Sequence, residues 1–171
     1  MAQKIFLTGL PRSGKTTLLH RLIDSVAQKT GFFTDEMREN GERVGFKIVT
    51  SRGEEGVLAD VSTPSPFKVS RYYVHPSSLE TAIESLFAFG KSDLLYLDEI
   101  GQMELFSSKF KELVEAYLDS DQPLIATISK IYSDAFTEAL LRRKDVTVFE
   151  ITPENREAIF DSIYAALAPV L

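Results

Sequence analysis

Along the chain, short continuous runs of apolar residues alternate with segments in which apolar residues recur every three or four positions. This pattern is typical of strands followed by helices. The run from Lys4 to Thr8 has the aromatic and β-branched content of a buried strand. A glycine-rich turn follows it, and the apolar residues from Leu18 to Val26 then recur at helical spacing. The chain is therefore predicted to begin with a strand, a turn and a helix.

The segment from Gly31 to Val74 has a different pattern, in which apolar and polar residues alternate and Gly and Pro are scattered. Asn40-Gly41 lies between two strand-like stretches, and this dipeptide is the strongest short signal for a two-residue hairpin turn. We expect three or four antiparallel strands here. They form an insertion over residues 31–75 that extends the main sheet and is not a separate domain.

Strands and helices alternate again after Pro76. Strands are predicted at 93–98, 124–129 and 146–151, and helices at 77–89 with Ser77 or Ser78 as cap, at 107–118, at 133–142 and after a Thr152 cap with Pro153 as first residue. This alternation predicts a mainly parallel sheet covered on both faces. The expected fold is a single three-layer α/β domain over residues 1–171 with an antiparallel hairpin extension.

Composition narrows the classes of function. The 171 residues carry 19 Lys and Arg against 25 Asp and Glu, a formal net charge of −6. This charge disfavours nonspecific binding to nucleic acid or to an anionic membrane, because both require a basic surface. With no cysteine in the chain, disulfides, thiolate metal sites and a cysteine nucleophile are excluded. No apolar stretch approaches the roughly 20 residues of a membrane span, and the first residues do not resemble a signal peptide. We therefore expect a soluble, cytoplasmic protein whose oligomeric state is open.

The residues after the first strand match the phosphate-binding pattern G-x-x-x-x-G-K-[ST], the P-loop or Walker A motif. The predicted nucleotide-binding residues are Gly9, Leu10, Pro11, Arg12, Ser13, Gly14, Lys15, Thr16 and Thr17. Glycines let the backbone wrap a phosphate with successive N–H groups pointing inward. Lys15 is suited to reach the β and γ phosphates, and the Thr16 hydroxyl is suited to bind Mg²⁺. The sequence predicts a site for a nucleoside triphosphate and its Mg²⁺.

A second motif is the apolar strand Leu94-Leu95-Tyr96-Leu97, which ends in Asp98 and Glu99 in the manner of a Walker B motif. Asp98 is predicted to hold the Mg²⁺, and Glu99 to orient or deprotonate an attacking water. The same acids begin a D-x-x-G pattern that ends at Gly101, as in switch GTPases. Because the chain has no Asn-Lys-x-Asp segment to recognise guanine, we interpret that match as a coincidence.

Phosphoryl transfer also profits from a positioned arginine, which contributes about 10³–10⁵ in rate. Arg38 and Arg43 flank the predicted hairpin turn, and we expect one of them to face the phosphates in a catalytic role beside Lys15. The alternative is cross-strand pairing with acids such as Glu36.

Several segments together resemble the family of thermophilic nucleoside-triphosphatases, whose vertebrate member is the cancer-related nucleoside-triphosphatase. These segments are 31–38, 41–46, 57–59, 73–74, 98–106 and 152–156. The run from Asp98 to Phe106 is the most specific, because nothing common to all P-loops requires it. The resemblance implies a compact α/β domain that hydrolyses several nucleoside triphosphates slowly, with Mg²⁺ and little base preference.

Two positions depart from the family's pattern. Arg12 stands where the phosphate loop usually has glycine, and Ser129-Lys130 stand where a histidine often follows the strand near Ile128. Thr127 or Ser129 could still donate a hydrogen bond there.

Two other functions stay open on sequence alone. One is a small nucleotide or metabolite kinase, which needs a second binding cavity and an arginine-bearing lid. The other is a regulatory switch in which slow hydrolysis resets contact with a partner.

Overall fold

The computed structural model describes residues 2–170, which build one nine-stranded sheet with helices packed on it. The strands are β1 Lys4–Thr8, β2 Lys29–Glu39, β3 Glu42–Thr50, β4 Glu55–Asp60, β5 Phe67–Val69, β6 Tyr72–Val74, β7 Leu94–Ile100, β8 Leu124–Ile128 and β9 Val146–Glu150. The α-helices are α1 Lys15–Ile23, α2 Pro76–Ile83, α3 Ser108–Asp119, α4 Ala135–Leu141 and α5 Arg156–Leu167, and short 3₁₀ turns occupy Glu84–Phe87 and Glu104–Phe106.

The sheet order is β5-β6-β4-β3-β2-β7-β8-β1-β9, and the five strands from β2 to β9 in this order pair in parallel. Strand β8 lies between β1 and β7, with Ile5 opposite Ile125 and Leu97 opposite Ala126. The strands that carry the two predicted motifs are therefore separated by β8. Since they are parallel, all three end at the same edge of the sheet.

The antiparallel half begins with the predicted hairpin between β2 and β3. Asn40 and Gly41 have φ values of 51° and 80°, which a two-residue hairpin turn requires at both central positions. The prediction of three or four strands was too low, because β5 and β6 are only three residues long and are joined at Ser70 with a φ of 55°. β2 belongs to both halves: its first residues pair in parallel with β7, and from Phe32 onward it pairs antiparallel with β3.

Alternate residues of the parallel strands pack on opposite faces of the sheet, as the period of two requires. Phe6 and Leu97 join one buried cluster with α2 and α3, whereas Ile5 and Tyr96 join another with α1 and α5. The layered α/β fold expected from the alternating pattern is therefore the one observed. Within residues 2–170 no helix is long and apolar enough to cross a bilayer.

Two predicted helix starts were wrong for local reasons. α2 begins at Pro76, after His75 and without a side-chain cap, so neither Ser77 nor Ser78 caps it. Near the end of the chain, Thr152 and Asn155 exchange hydrogen bonds, Thr152 N to Asn155 Oδ1 at 2.8 Å and Asn155 N to Thr152 Oγ1 at 3.3 Å. That exchange closes a turn of its own, and α5 begins after it at Arg156.

Candidate active site

The predicted phosphate loop lies between β1 and α1, at the carboxyl edge of the parallel strands. Gly9 has a φ of 153°, and a Cβ there would lie 2.6 Å from the carbonyl oxygen of Ile151. Arg12 adopts a left-handed φ of 66°, a conformation that glycine adopts at no steric cost. The left-handed backbone at position 12 explains why glycine suits that position. In this chain arginine adopts the same conformation in spite of its steric cost.

A cavity of about 670 Å³ opens over this loop. Its lining includes the predicted residues Gly9, Pro11, Arg12, Ser13, Gly14, Lys15, Thr16, Thr17, Asp98 and Glu99, together with Thr34, Glu36, Gln102, Met103, Glu104, Ser129, Lys130, Ile131, Tyr132 and Arg156. Leu10 is exposed and instead lines a smaller cavity of about 200 Å³ on the side of the turn after β9. The structure thus brings the two sequence motifs together in one cavity.

Lys15 links the two motifs. Its Nζ donates a hydrogen bond to the carbonyl oxygen of Gly9 at 2.6 Å and lies 3.5 Å from Glu99 Oε2. Burial raises the pKa of Glu99, and the positive charge of Lys15 opposes that effect. Glu99 therefore stands beside a cation in a half-buried position, and its raised pKa makes the carboxylate a better proton acceptor than it is in water.

Asp98 is held by two threonines from different elements. Its Oδ1 accepts hydrogen bonds from Thr127 Oγ1 on β8 at 2.6 Å and from Thr16 Oγ1 on α1 at 3.3 Å. Burial raises the pKa of Asp98, and the hydrogen bonds from Thr127 and Thr16 oppose it. Thr127, one of the two hydrogen-bond donors considered near the end of β8, is therefore engaged with Asp98.

The donor set around Asp98 suits Mg²⁺ that arrives with a nucleotide. Asp98 and Thr16 offer one carboxylate and one hydroxyl oxygen at the mouth of the loop. Among residues 2–170 no group of three or more His, Cys, Asp or Glu side chains could hold a metal ion alone. Mg²⁺ is commonly bound by one or two carboxylates together with substrate phosphates and water, so these residues fit that mode of binding.

The structure does not bring Arg38 or Arg43 to the phosphate loop. Arg38 donates to Glu36 Oε2 at 2.6 Å and Arg43 to Glu36 Oε1 at 3.2 Å, which is the cross-strand pairing considered as the alternative. Arg43 also donates from Nε to the hydroxyl of Tyr72 at 2.9 Å. Both guanidinium groups are thus engaged in the hairpin, and neither lines the cavity.

Two other arginines line the cavity, Arg12 in the loop and Arg156 at the start of α5. Arg156 lies over the loop's last glycine, since a Cβ on Gly14 would lie 2.8 Å from Arg156 Cδ and 2.9 Å from its Nη1. No ion pair to Arg156 is formed within the described part of the chain, residues 2–170. Its charge therefore stands at the loop without a counter-ion from those residues.

Comparison with known proteins assigns the fold and the family. Residues 4–164 match the model of the NTPase family. The chain belongs to this family. The NTPase is similar to the nucleoside-triphosphatase THEP1 of Thermotoga maritima, at 47% identity over 166 residues that cover 96% of this chain and 95% of that protein.

Two solved structures are also similar to the NTPase. The crystal structure of THEP1 from Aquifex aeolicus has a TM-score of 0.85 at 30% identity and covers 98% of this chain and 99% of that one. The solution structure of a human cancer-related nucleoside triphosphatase has a TM-score of 0.80 at 34% identity and covers 99% and 100%. The expected family and the P-loop NTPase fold are thereby confirmed.

Among the cavity residues that sequence reasoning did not assign to the site are Arg156 and Glu104. Glu104 follows Glu99 by five residues in a segment that otherwise contains Ile100, Met103 and Leu105, and an acid among apolar residues is the signal that marks it. Arg156 is far from both motifs in sequence, and only the return of β9 beside β1 brings it to the loop.

Proposed function

We propose that this NTPase, as one nucleotide-binding domain over residues 1–171, hydrolyses nucleoside triphosphates to the diphosphate and phosphate with Mg²⁺ and with little base selectivity. The observation that carries the proposal is the meeting of Lys15, Asp98 and Glu99 in one cavity over the phosphate loop. The relatives named as nucleoside-triphosphatases support it. The acidic charge argues against nucleic acid as a partner, and we place the activity in the cytoplasm, where nucleoside triphosphates are available.

Thr16 and Asp98 would hold the Mg²⁺ of the bound nucleotide. When bound, the ion neutralises charge on the β and γ phosphates. Thr127 contributes by fixing Asp98 Oδ1 through its short hydrogen bond. That bond also favours the ionised form of Asp98 against burial, which a cation ligand requires.

Lys15 and the loop amides stabilise the charge of the phosphates. Amide N–H groups at the start of α1 point toward an anion bound in the loop, and the helix dipole adds to the attraction. A triphosphate offers the Lys15 ammonium more negative charge than Glu99 does. A Lys15 that turns to the phosphates releases Glu99 Oε2, so binding of the substrate frees the base.

Glu99 accepts the proton of the attacking water. The water oxygen forms a bond to the γ phosphorus, the bond from that phosphorus to the β–γ bridging oxygen breaks, and the water proton passes to the Glu99 carboxylate. A positioned general base contributes about 10²–10⁴ in rate and acts best when its pKa approaches the working pH. The burial that raises the pKa of Glu99 moves it in that direction.

The decisive experiment is phosphate release from the Mg²⁺ complexes of ATP, GTP, CTP and UTP by wild type and Glu99→Gln. We expect steady release from all four nucleotides and a loss of about 10²–10⁴-fold in the variant, with nucleotide binding kept. Glu115→Gln on α3, an exposed acid outside the cavity, is the matched control. Tight binding without release by wild type would contradict the proposal and favour the kinase or the switch.

Arg156 is the arginine that we expect to act on the bound phosphates. Arg156→Ala should lower phosphate release at least tenfold, because an arginine on a transferred phosphoryl group contributes about 10³–10⁵ and one on other phosphates contributes less. Arg38→Ala and Arg43→Ala are matched controls, since both arginines pair with Glu36 in the hairpin. If phosphate release fell strongly in Arg38→Ala or Arg43→Ala but not in Arg156→Ala, the arginine that acts on the phosphates would be the one in the hairpin.

A further inference from the structure

Glu104 is a buried carboxyl group for which the proposed mechanism has so far no use. It lies in the 3₁₀ turn after β7, lines the cavity and is only 5% exposed. Within residues 2–170 its Oε2 has no hydrogen-bond partner, and no Lys, Arg or His forms an ion pair with it. A buried ionised carboxylate without a counter-ion is costly, so such a group calls for an explanation.

The carboxyl groups of Glu104 and Glu99 converge on one point of the backbone. The position that a Cβ would occupy on Gly101 lies 3.0 Å from Glu99 Oε1 and 3.3 Å from Glu104 Oε2. Lys15 approaches the other oxygen of Glu99, Oε2, at 3.5 Å. Lys15 thus approaches one oxygen of Glu99, while the other oxygen and Glu104 Oε2 both border the space above the Gly101 Cα.

Two neighbouring carboxyl groups, one of them buried, cannot both be ionised at low cost, and one of them holds a proton. Lys15 stabilises the charge on Glu99, whereas Glu104 has no cation partner among the residues that the structure describes. The proton is therefore assigned to Glu104. In agreement with this assignment, burial and then the negative charge of Glu99 raise the pKa of Glu104 well above its ordinary value, against the opposing effect of the backbone N–H groups of Glu104 and Gly101.

We propose that Glu104 is a positioning residue that, as a neutral carboxylic acid, donates a hydrogen bond to Glu99 Oε1 and so holds the Glu99 carboxylate toward the attacking water. The proposal rests on the proposed hydrolysis for its kinetic effect, but not for the protonation of Glu104. The Glu104 proton stays on Glu104, and Glu99 Oε2, released by Lys15, receives the proton of the water. Gly101 leaves free the space that both carboxyl groups border, since a Cβ there would lie 3.0 Å from Glu99 Oε1 and 3.3 Å from Glu104 Oε2.

Two substitutions at Glu104, both with side chains about as long as glutamate, distinguish loss of the hydrogen-bond donor from loss of the carboxyl group. Glu104→Met removes the donor, and we expect kcat to fall about 10²-fold with KM for MgATP nearly unchanged, because a misplaced base costs about that much. Glu104→Gln keeps a neutral N–H donor and should retain kcat within about threefold of wild type. The thermal midpoint of Glu104→Met should be equal to that of wild type or higher, because the variant removes an unpartnered buried oxygen.

An infrared difference spectrum tests the proton without any turnover. Wild type minus Glu104→Gln at neutral pH should show the C=O band of a protonated carboxylic acid, and the band should persist in Glu99→Gln. Absence of the band overturns the proposal, as does wild-type kcat in Glu104→Met or a Glu104→Gln variant as slow as Glu104→Met. If wild type released no phosphate, the proposed hydrolysis would fail, and the infrared result would still decide the protonation of Glu104.

Discussion

Two buried ionisable side chains lie at opposite ends of the parallel strands, Lys4 at the amino end of β1 and Glu104 just after the carboxyl end of β7. They are equally hidden, at 4% and 5% exposure. The Lys4 ammonium donates to the carbonyl oxygens of Tyr117 and Ser120 at 2.9 and 2.8 Å and to that of Gln122. Glu104 Oε2 and the hydroxyl of Ser13 in the phosphate loop have no partner within residues 2–170.

The difference shows what each end of the sheet does. At the amino end, a buried charge is fully hydrogen-bonded and ties the end of α3 to β8, so its bonds contribute to the stability of the fold. At the carboxyl end, buried polar atoms are left without partners in a cavity, a condition that lowers stability and is tolerated where a ligand or a reaction uses them. Substitutions at the two ends should therefore separate stability from activity.

The largest effect on stability is expected from Lys4→Met. The substitution removes the ammonium that donates to the carbonyl oxygens of Tyr117, Ser120 and Gln122, although Tyr117 O keeps the hydroxyl of Ser120. We expect the free energy of unfolding in urea to fall by roughly 3 kcal/mol. Phosphate release below the unfolding transition should be unchanged, since Lys4 lies at the edge opposite the cavity. Lys144→Met, at an exposed position, should change stability by less than about 0.5 kcal/mol. A loss of phosphate release in folded Lys4→Met would contradict the assignment of stability to one end of the sheet and activity to the other.

Gly101→Ala is the converse substitution at the carboxyl edge. The added methyl group would meet Glu99 Oε1 at 3.0 Å and Glu104 Oε2 at 3.3 Å. We expect kcat to fall about 10²-fold as the base is displaced, with a smaller effect on stability. Gly90→Ala is the matched control, because its methyl group also meets a carboxylate oxygen, Asp93 Oδ1 at 3.2 Å, but at an exposed turn. Equal activity of the two variants would contradict the role of Gly101.

Much of this site was predictable because its chemistry is local in sequence. Residues 9–16 carry the loop, its lysine and its threonine in one motif, and Asp98 and Glu99 end a buried strand. The order of the strands then places the two motifs together. The D-x-x-G match ending at Gly101 looked incidental from sequence, but in the structure a side chain on this glycine would contact the carboxyl oxygens of both Glu99 and Glu104, which spacing alone does not reveal.

The arginine that we expect to act on the phosphates could not be predicted from neighbouring residues in the sequence. Arg38 and Arg43 were candidates because they flank a recognisable turn, but Glu36 lies two residues from one and pairs with both. Arg156 reaches the loop only because β9 pairs with β1. Contacts between distant segments depend on the topology of the sheet, and a single sequence does not contain it. The unpartnered state of Glu104 depends on burial from every side, which periodicity could not predict either.

The smallest expected effect, counted per pH unit, is the part of the pH dependence of stability that Glu104 contributes. Burial and the charge of Glu99 raise the pKa of Glu104 in the folded protein, so above the ordinary pKa of glutamate the folded state holds a proton that the unfolded chain has released. Stability must then fall as the pH rises through that window, by at most about 1.4 kcal/mol per pH unit from this group. Glu104→Gln has no proton to lose, and its stability relative to wild type should increase from mildly acidic to neutral pH. Urea unfolding of both proteins across that range measures the difference, and a difference that is constant with pH would mean that Glu104 ionises in the folded protein as it does in the unfolded chain.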